Sequence, residues 1–132
     1  SQHIEDVIKP ALSGSRVVLC DRFTDASFAY QGGGRGLANE QIEQLKRLVQ
    51  GDLQPDLTLL LDIPIDVGLT RVSNRGKPDR FDSEADEFKT RVRAAYLQLA
   101  ENDPARLVII NADQPLKAVQ RDIESVLESR FP

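Results

Sequence analysis

The 132-residue sequence has one cysteine, Cys20, and one histidine, His3. A single thiol cannot form a disulfide framework, and it suits a reducing compartment such as the cytoplasm. A single imidazole excludes a histidine-rich metal site, and His3 reads as a solvated helix residue. No apolar run approaches the roughly 20 residues that a helix needs to cross a bilayer, and no signal-peptide pattern opens the chain. Positive charge is also in deficit: 17 Lys and Arg face 21 Asp and Glu, a net charge of −4. That balance argues against a nucleic-acid surface, which would be basic. There is no methionine, and the chain opens on Ser1-Gln2-His3 inside a helical pattern. Neither repeats nor low-complexity tracts occur. A hydrophobic share of 40% beside 29% charged residues is that of a globular domain, and the length suits one core.

Hydropathy patterning orders what is present. Ile4, Val7, Ile8, Ala11 and Leu12 recur at helical spacing before Ser13-Gly14, with a kink or early end expected at Pro10. Arg16–Cys20 is expected to be a first buried strand, its thiol inside, because short β-branched and aliphatic runs suit one. Ile42, Leu45, Leu48 and Val49 predict an amphipathic helix from about Asn39 to Gln50, closed by Gly51. Leu57–Leu61, ending at Asp62, has the unbroken apolar pattern of a strand covered on both faces. A helix should follow Pro64 and run to Arg75, with Val67, Leu69 and Val72 apolar and Gly76 as its cap. Ser83 and Asp86 form a capping pattern for a helix carrying Phe88, Val92, Ala95, Tyr96 and Leu99, broken at Asn102–Pro104. Leu107–Ile110 is the third expected strand. Pro115 then opens a last helix with Leu116, Val119, Ile123, Val126 and Leu127 inward. Strands alternating with helices predict an α/β fold, a parallel sheet with helices on both faces.

Chemistry concentrates in Asp21–Gly36, DRFTDASFAYQGGGRG. Side chains just past a strand's carboxyl end face the ligand crevice of a parallel sheet, and Asp21 and Arg22 hold that place. Thr24, Ser27 and Gln31 then mix with Phe23, Phe28 and Tyr30. Arginine grips phosphate oxygens bidentately, aromatic rings cover a flat ring, and hydroxyls and amides read its edge. The segment suits a heterocycle bearing a phosphate. For Asp-Arg alone, a salt bridge at a strand end is the competing reading. For GGGRG it is a flexible turn, since glycine tolerates positive φ.

This segment resembles the Asp-Arg-aromatic segment of thymidylate kinases, in the bacterial form with AYQGGGRG. The similarity continues through GDLQPDLTLLLDIPIDVGLTR, the RGKPDRFD stretch and the final helix. The resemblance implies a P-loop nucleoside-monophosphate-kinase fold, phosphorylation of dTMP to dTDP by ATP with Mg²⁺, and a cytoplasmic homodimer. By the same resemblance Arg22 binds the phosphate of dTMP and Asp21 lies between the two phosphates. Ser27 and Gln31 meet the thymine edge, and Tyr30 packs beside the deoxyribose, crowding a 2′-OH. Residues 76–83 form the lid, with Arg75 and Arg80 capping the transferring phosphoryl group and Arg71 behind them. Asp79 and Asp82 align with lid acids that contact metal or bound water. The Asn111–Pro115 turn, with Asp113 and Gln114, lies where adenine binds. A helix-surface arginine competes as the reading of Arg71, and solvated charges compete for Asp79 and Asp82.

No G-x-x-x-x-G-K-[ST] occurs in the chain. That loop cradles nucleotide phosphates with backbone N–H groups and a lysine. Gly32–Gly36 cannot replace it, because no Lys-Ser or Lys-Thr follows. In the family the loop belongs to an N-terminal strand-turn-helix, so 1–132 is expected to be a partial domain, incomplete at its N-terminus and inactive alone. Mg²⁺ would be held mainly by phosphates and P-loop groups, outside this chain. A central strand would also be missing; upstream residues are expected to fill its slot, rather than Arg16–Cys20 pairing directly with Leu57–Leu61 or a neighbouring chain adding a strand. Three functions stay open: a dTMP kinase, another nucleotide or deoxynucleoside kinase of the same fold, and a non-catalytic α/β piece that self-associates.

Overall fold

The computed structural model describes residues 2–73 and 83–131, and the chain divides into two units, Ser1–Gln54 and Pro55–Pro132. The first unit opens with a π-helical stretch, Ile4–Ile8, running directly into α1 (Lys9–Ser13). Pro10 does not end this helix. The Lys9 amide donates to the Ile4 carbonyl five residues back, a wide turn that absorbs one extra residue. Pro10 then follows as the second residue of α1, just past this wide turn, and the helix continues through it to Ser13. Ile4 and Ile8 supply the buried stripe.

Arg16–Cys20 is not a strand. Val17 and Leu19 are 98% and 99% exposed, and the Cys20 thiol, expected inside an apolar strand, is exposed as well. A buried extended run satisfies its N–H and C=O groups against neighbouring strands, whereas an exposed one leaves them to water. Among the described residues the sheet holds two strands, both in the second unit, so no ladder includes Arg16–Cys20 and direct pairing with Leu57–Leu61 is not adopted.

Next, α2 (Thr24–Ser27) continues into a π-helical stretch, Phe28–Gly34, and α3 spans Asn39–Gln50. Gly32–Gly34 are therefore helical, and the turn expected of the GGGRG stretch is confined to Arg35 and Gly36. Of its glycines only Gly36 has a positive φ, 75°. Gly32 packs closely on α3: a Cβ there would lie 2.7 Å from Asn39 Oδ1 and 3.2 Å from Ile42 Cδ1, so those side-chain ends would have to shift. The covered positions are Ile42, Lys46 and Gln50, at i, i+4 and i+8, with Lys46 over the Phe28 ring at 5.8 Å. Leu45, Leu48 and Val49, expected inside, are exposed. Gly51 closes α3 at φ 61°, its N–H on the Arg47 carbonyl at 3.1 Å, as expected of a glycine stop.

In the second unit β1 (Thr58–Asp62) and β2 (Leu107–Asn111) pair in parallel, in register from Thr58 against Leu107 to Asp62 against Asn111. The connection between them carries α4 (Ile65–Ser73) and α5 (Ser83–Asn102), and α6 (Leu116–Arg130) follows β2. This is the expected α/β arrangement. Helices α5 and α6 pack on β2, and α4 packs on α5. Val92, Ala100, Leu107, Ile110 and Val119 form the buried core. Leu61 and Ile109 stay exposed; the register places them on opposite faces of the pair. On α6, Val119 turns inward, but Leu116 and Leu127, also expected inside, are exposed. Arg106 pins the start of the sheet. Its carbonyl accepts from the Thr58 amide at 2.8 Å, while its guanidinium donates to Thr58 Oγ1 at 3.0 Å and to Asp103 Oδ2 at 2.8 Å.

The expected Gly76 cap and the Lys77–Asp82 loop lie outside the described residues. No helix among the described residues is long and apolar enough to cross a membrane.

Candidate active site

In the first unit Asp21 and Arg22 form an exposed bend just ahead of α2. Arg22 holds a left-handed backbone, φ 60°, a conformation that costs a side-chain-bearing residue roughly 1–2 kcal/mol and that clusters at functional positions. Its guanidinium carbon sits 5.4 Å from the centroid of the Tyr30 ring, within cation–π range. The Arg22 guanidinium thus lies over an aromatic face.

Ser27 and Gln31 stand one turn apart on the same helix, with Tyr30 beside them. Gln31 Oε1 accepts from Arg35 Nη1 at 3.1 Å. The helix is tied down at its start, a feature the sequence reading missed. Thr24 Oγ1 donates to Gln50 Oε1 at 2.7 Å, and Gln50 Nε2 donates to the Leu53 carbonyl. The signal was available, in that Gln50 repeats the position of Ile42 two turns on, but a glutamine does not register in a hydrophobic pattern.

In the second unit the carboxyl ends of both strands carry polar groups. Asp62, the last residue of β1, accepts two bonds from Arg93 of α5, Nε at 2.7 Å and Nη2 at 2.8 Å, a bidentate geometry. Arg93's hydrogen bonds, with its charge, hold the Asp62 carboxyl below its usual value against partial desolvation, and the guanidinium is raised in turn. The Asp62 carbonyl accepts from the Ala112 amide at 2.7 Å, closing the sheet end. Sequence reasoning placed Asp62 at a strand end but had no means of pairing it with a residue 31 positions away.

We expect Asp62→Asn to cost about 1–2 kcal/mol at pH 7, below the full 1.5–3 kcal/mol of a charged hydrogen bond because both side chains keep some solvent contact. The sign with pH follows from the depressed value. The pair contributes fully above the unfolded carboxyl's pKa of about 3.9 and loses its contribution as pH falls through the lower folded value. Urea unfolding at pH 7 and pH 3 should therefore show the gap between Asp62→Asn and the unmodified chain narrowing in acid. An equal gap at both pH values would exclude this role for the carboxylate.

Arg71 of α4 donates from Nη1 to the Ala112 carbonyl at 2.9 Å, and its Nη2 lies 3.6 Å from Asp113 Oδ1. Two residues assigned to the ATP side are thus within ion-pair range, and Arg71 is more than a bare surface charge. Asn111 Oδ1 accepts from the Asp113 amide at 2.8 Å and shapes the turn, while Gln114 Nε2 is held by Asp122 Oδ2 at 2.5 Å. Arg75, Asp79, Arg80 and Asp82 lie outside the described residues. Among the described residues no group of three or more His, Cys, Asp or Glu is placed to hold a metal ion.

Compared with known proteins, the chain matches the family model described as thymidylate kinase over residues 1–123. It belongs to the thymidylate kinase family. Among curated proteins it is 55% identical over 127 residues to a thymidylate kinase of Pseudomonas fluorescens, covering 96% of this chain and 60% of that relative. A thymidylate kinase of Pseudomonas putida is 56% identical with the same coverage. One from Ectopseudomonas mendocina is 54% identical over 129 residues, covering 98% of this chain and 61% of the relative. The chain therefore spans about three fifths of the length of the thymidylate kinases it matches.

Proposed function

We propose that the protein to which this chain belongs transfers the γ-phosphoryl group of ATP to dTMP, and that residues 21–31 hold the dTMP. The observation that carries this reading is Arg22, held in a strained left-handed bend beside Asp21 with its guanidinium over Tyr30. In the reaction an oxygen of the dTMP phosphate bonds to the γ-phosphorus, the β–γ bridging bond breaks, and ADP leaves. Such a transfer depends on positioning and charge neutralisation. Arg22 grips the acceptor phosphate, and Asp21 orients Arg22 and water between the phosphates. Ser27 and Gln31 read the pyrimidine edge. With Gln31 Oε1 taken by Arg35, the amide nitrogen is the group that donates to a base carbonyl. Tyr30 packs against the sugar.

On the donor side Arg71, Asp113 and Gln114 serve ATP, and Arg75 and Arg80 neutralise the transferring group. Asp79 and Asp82 act as solvated lid charges. Mg²⁺ accompanies ATP, held mainly by its phosphates, and none of the roles assigned to this chain runs through the ion. A homodimer is part of the same reading, supported by the exposed Leu45, Leu48 and Val49 of α3, and so is a cytoplasmic location.

Assaying the gene product with ATP against dTMP, dUMP and thymidine tests the reaction, with dTDP formation from dTMP expected to dominate. Thymidine phosphorylated in preference would replace this reading with a nucleoside kinase. In the same assay Tyr30→Ala should lower the preference for dTMP over its ribose counterpart about tenfold, the scale of one small steric contact. An unchanged preference would take Tyr30 away from the sugar.

A further inference from the structure

The start of the helix 24–34 has no cap of its own. Phe23 occupies the N-cap with no side-chain hydrogen bond, so α2 lacks the usual device that sets where a helix begins. Contacts with α3 are spaced along its length, among them Gly32 close to Asn39 and Ile42, Phe28 under Lys46, and Thr24 on Gln50. The Thr24–Gln50 bond lies at the end that leads from Arg22. Gln50 is 5% exposed, and both ends of its amide are engaged, the oxygen by the Thr24 hydroxyl and the nitrogen on the Leu53 carbonyl. That arrangement has one orientation. A flipped amide would set its oxygen against the Leu53 carbonyl, with two acceptors facing each other.

We propose that Thr24 and Gln50 are positioning residues for the dTMP-binding segment: they touch no nucleotide, and they set the place of Arg22, Ser27 and Gln31 by pinning the first residue of α2 to the last residue of α3. This rests on the reading of residues 21–31 as the dTMP site. The bond runs from a hydroxyl to a buried amide, so removing the hydroxyl leaves an unpaired acceptor. Pairing it again by shifting the helix start would move Arg22, which lies two residues upstream of Thr24.

The test measures dTMP and ATP affinities separately, by titration calorimetry, on the protein as its gene encodes it. Thr24→Val, which swaps the hydroxyl for a methyl, should weaken dTMP binding about fivefold to tenfold, the loss expected from one buried bond, with ATP affinity within about twofold of the unmodified protein. Thr24→Ser restores the hydroxyl and should restore dTMP affinity. Gln50→Met keeps the volume and removes both polar ends; it should show the same split and provides the test if Thr24→Val does not fold. dTMP affinity unchanged in the variants overturns the inference, as do equal losses for dTMP and ATP, because a merely structural bond acts on the whole fold. If the unmodified protein binds ATP but not dTMP, the substrate reading itself falls and this inference falls with it.

Discussion

Arg22→Ala is expected to lower dTDP formation by about a thousandfold or more in the protein as its gene encodes it, the range in which a single cationic contact to a transferring or accepting phosphate acts. The loss should fall on kcat as well as on dTMP binding, because the guanidinium both orients the acceptor oxygen and offsets charge as the new bond forms. A second substitution separates this role from a structural one. At φ 60° a glycine relieves a left-handed penalty of roughly 1–2 kcal/mol, which offsets the lost Tyr30 stacking of about 0.5–1 kcal/mol and the added freedom of the unfolded chain. Arg22→Gly should therefore unfold within about 1 kcal/mol of the unmodified protein, yet be as inactive as Arg22→Ala. Near-normal turnover in either variant, measured by coupled release of ADP, would make Arg22 a structural residue.

The 132 residues on their own are expected to form no dTDP above background. Phosphoryl transfer needs the nucleotide phosphates cradled by backbone N–H groups and a lysine, and no G-x-x-x-x-G-K-[ST] occurs in this sequence. Lid and turn residues can neutralise charge and hold a base, but they cannot replace a cradle that fixes the γ-phosphorus in line with the acceptor. The check is an assay of the purified chain with ATP and dTMP, prepared free of host kinase. Turnover comparable to that of the whole gene product would show that phosphate binding is achieved by other residues of this chain.

The two kinds of outcome, expectations met and expectations corrected, divide along a physical line. Elements whose stability is local followed from the residues themselves. Helix α3 begins and ends where its pattern and Gly51 place it, and Pro115 precedes α6. The parallel pairing of β1 with β2 agrees with the alternation of strands and helices. Expectations that depended on a partner fared differently. Val17–Cys20 has the composition of a buried strand but joins no ladder, with Val17, Leu19 and Cys20 exposed, because composition says how well a strand is covered once paired and nothing about whether a partner is there. The face of α3 was misjudged for a related reason. Hydropathy favoured Ile42, Leu45, Leu48 and Val49, and of these only Ile42 is buried, with the polar Gln50 two turns on beside it.

What the sequence determined by itself was the inventory of chemistry and its order along the chain: Asp21 and Arg22 ahead of a helix bearing Ser27, Tyr30 and Gln31, then Arg71, then the turn with Asp113 and Gln114. Contiguous residues interact through fixed backbone geometry, so their spacing is enough to read them. Only the tertiary structure decided that Arg22 takes a left-handed backbone over Tyr30, that Asp62 is clamped by Arg93, that Arg71 meets the 111–115 turn, and that Gln50 anchors Thr24. Three of these contacts join residues 26 to 41 positions apart, and they form only after packing has paid the chain entropy of bringing distant segments together. No local pattern encodes which distant partner a polar side chain will meet.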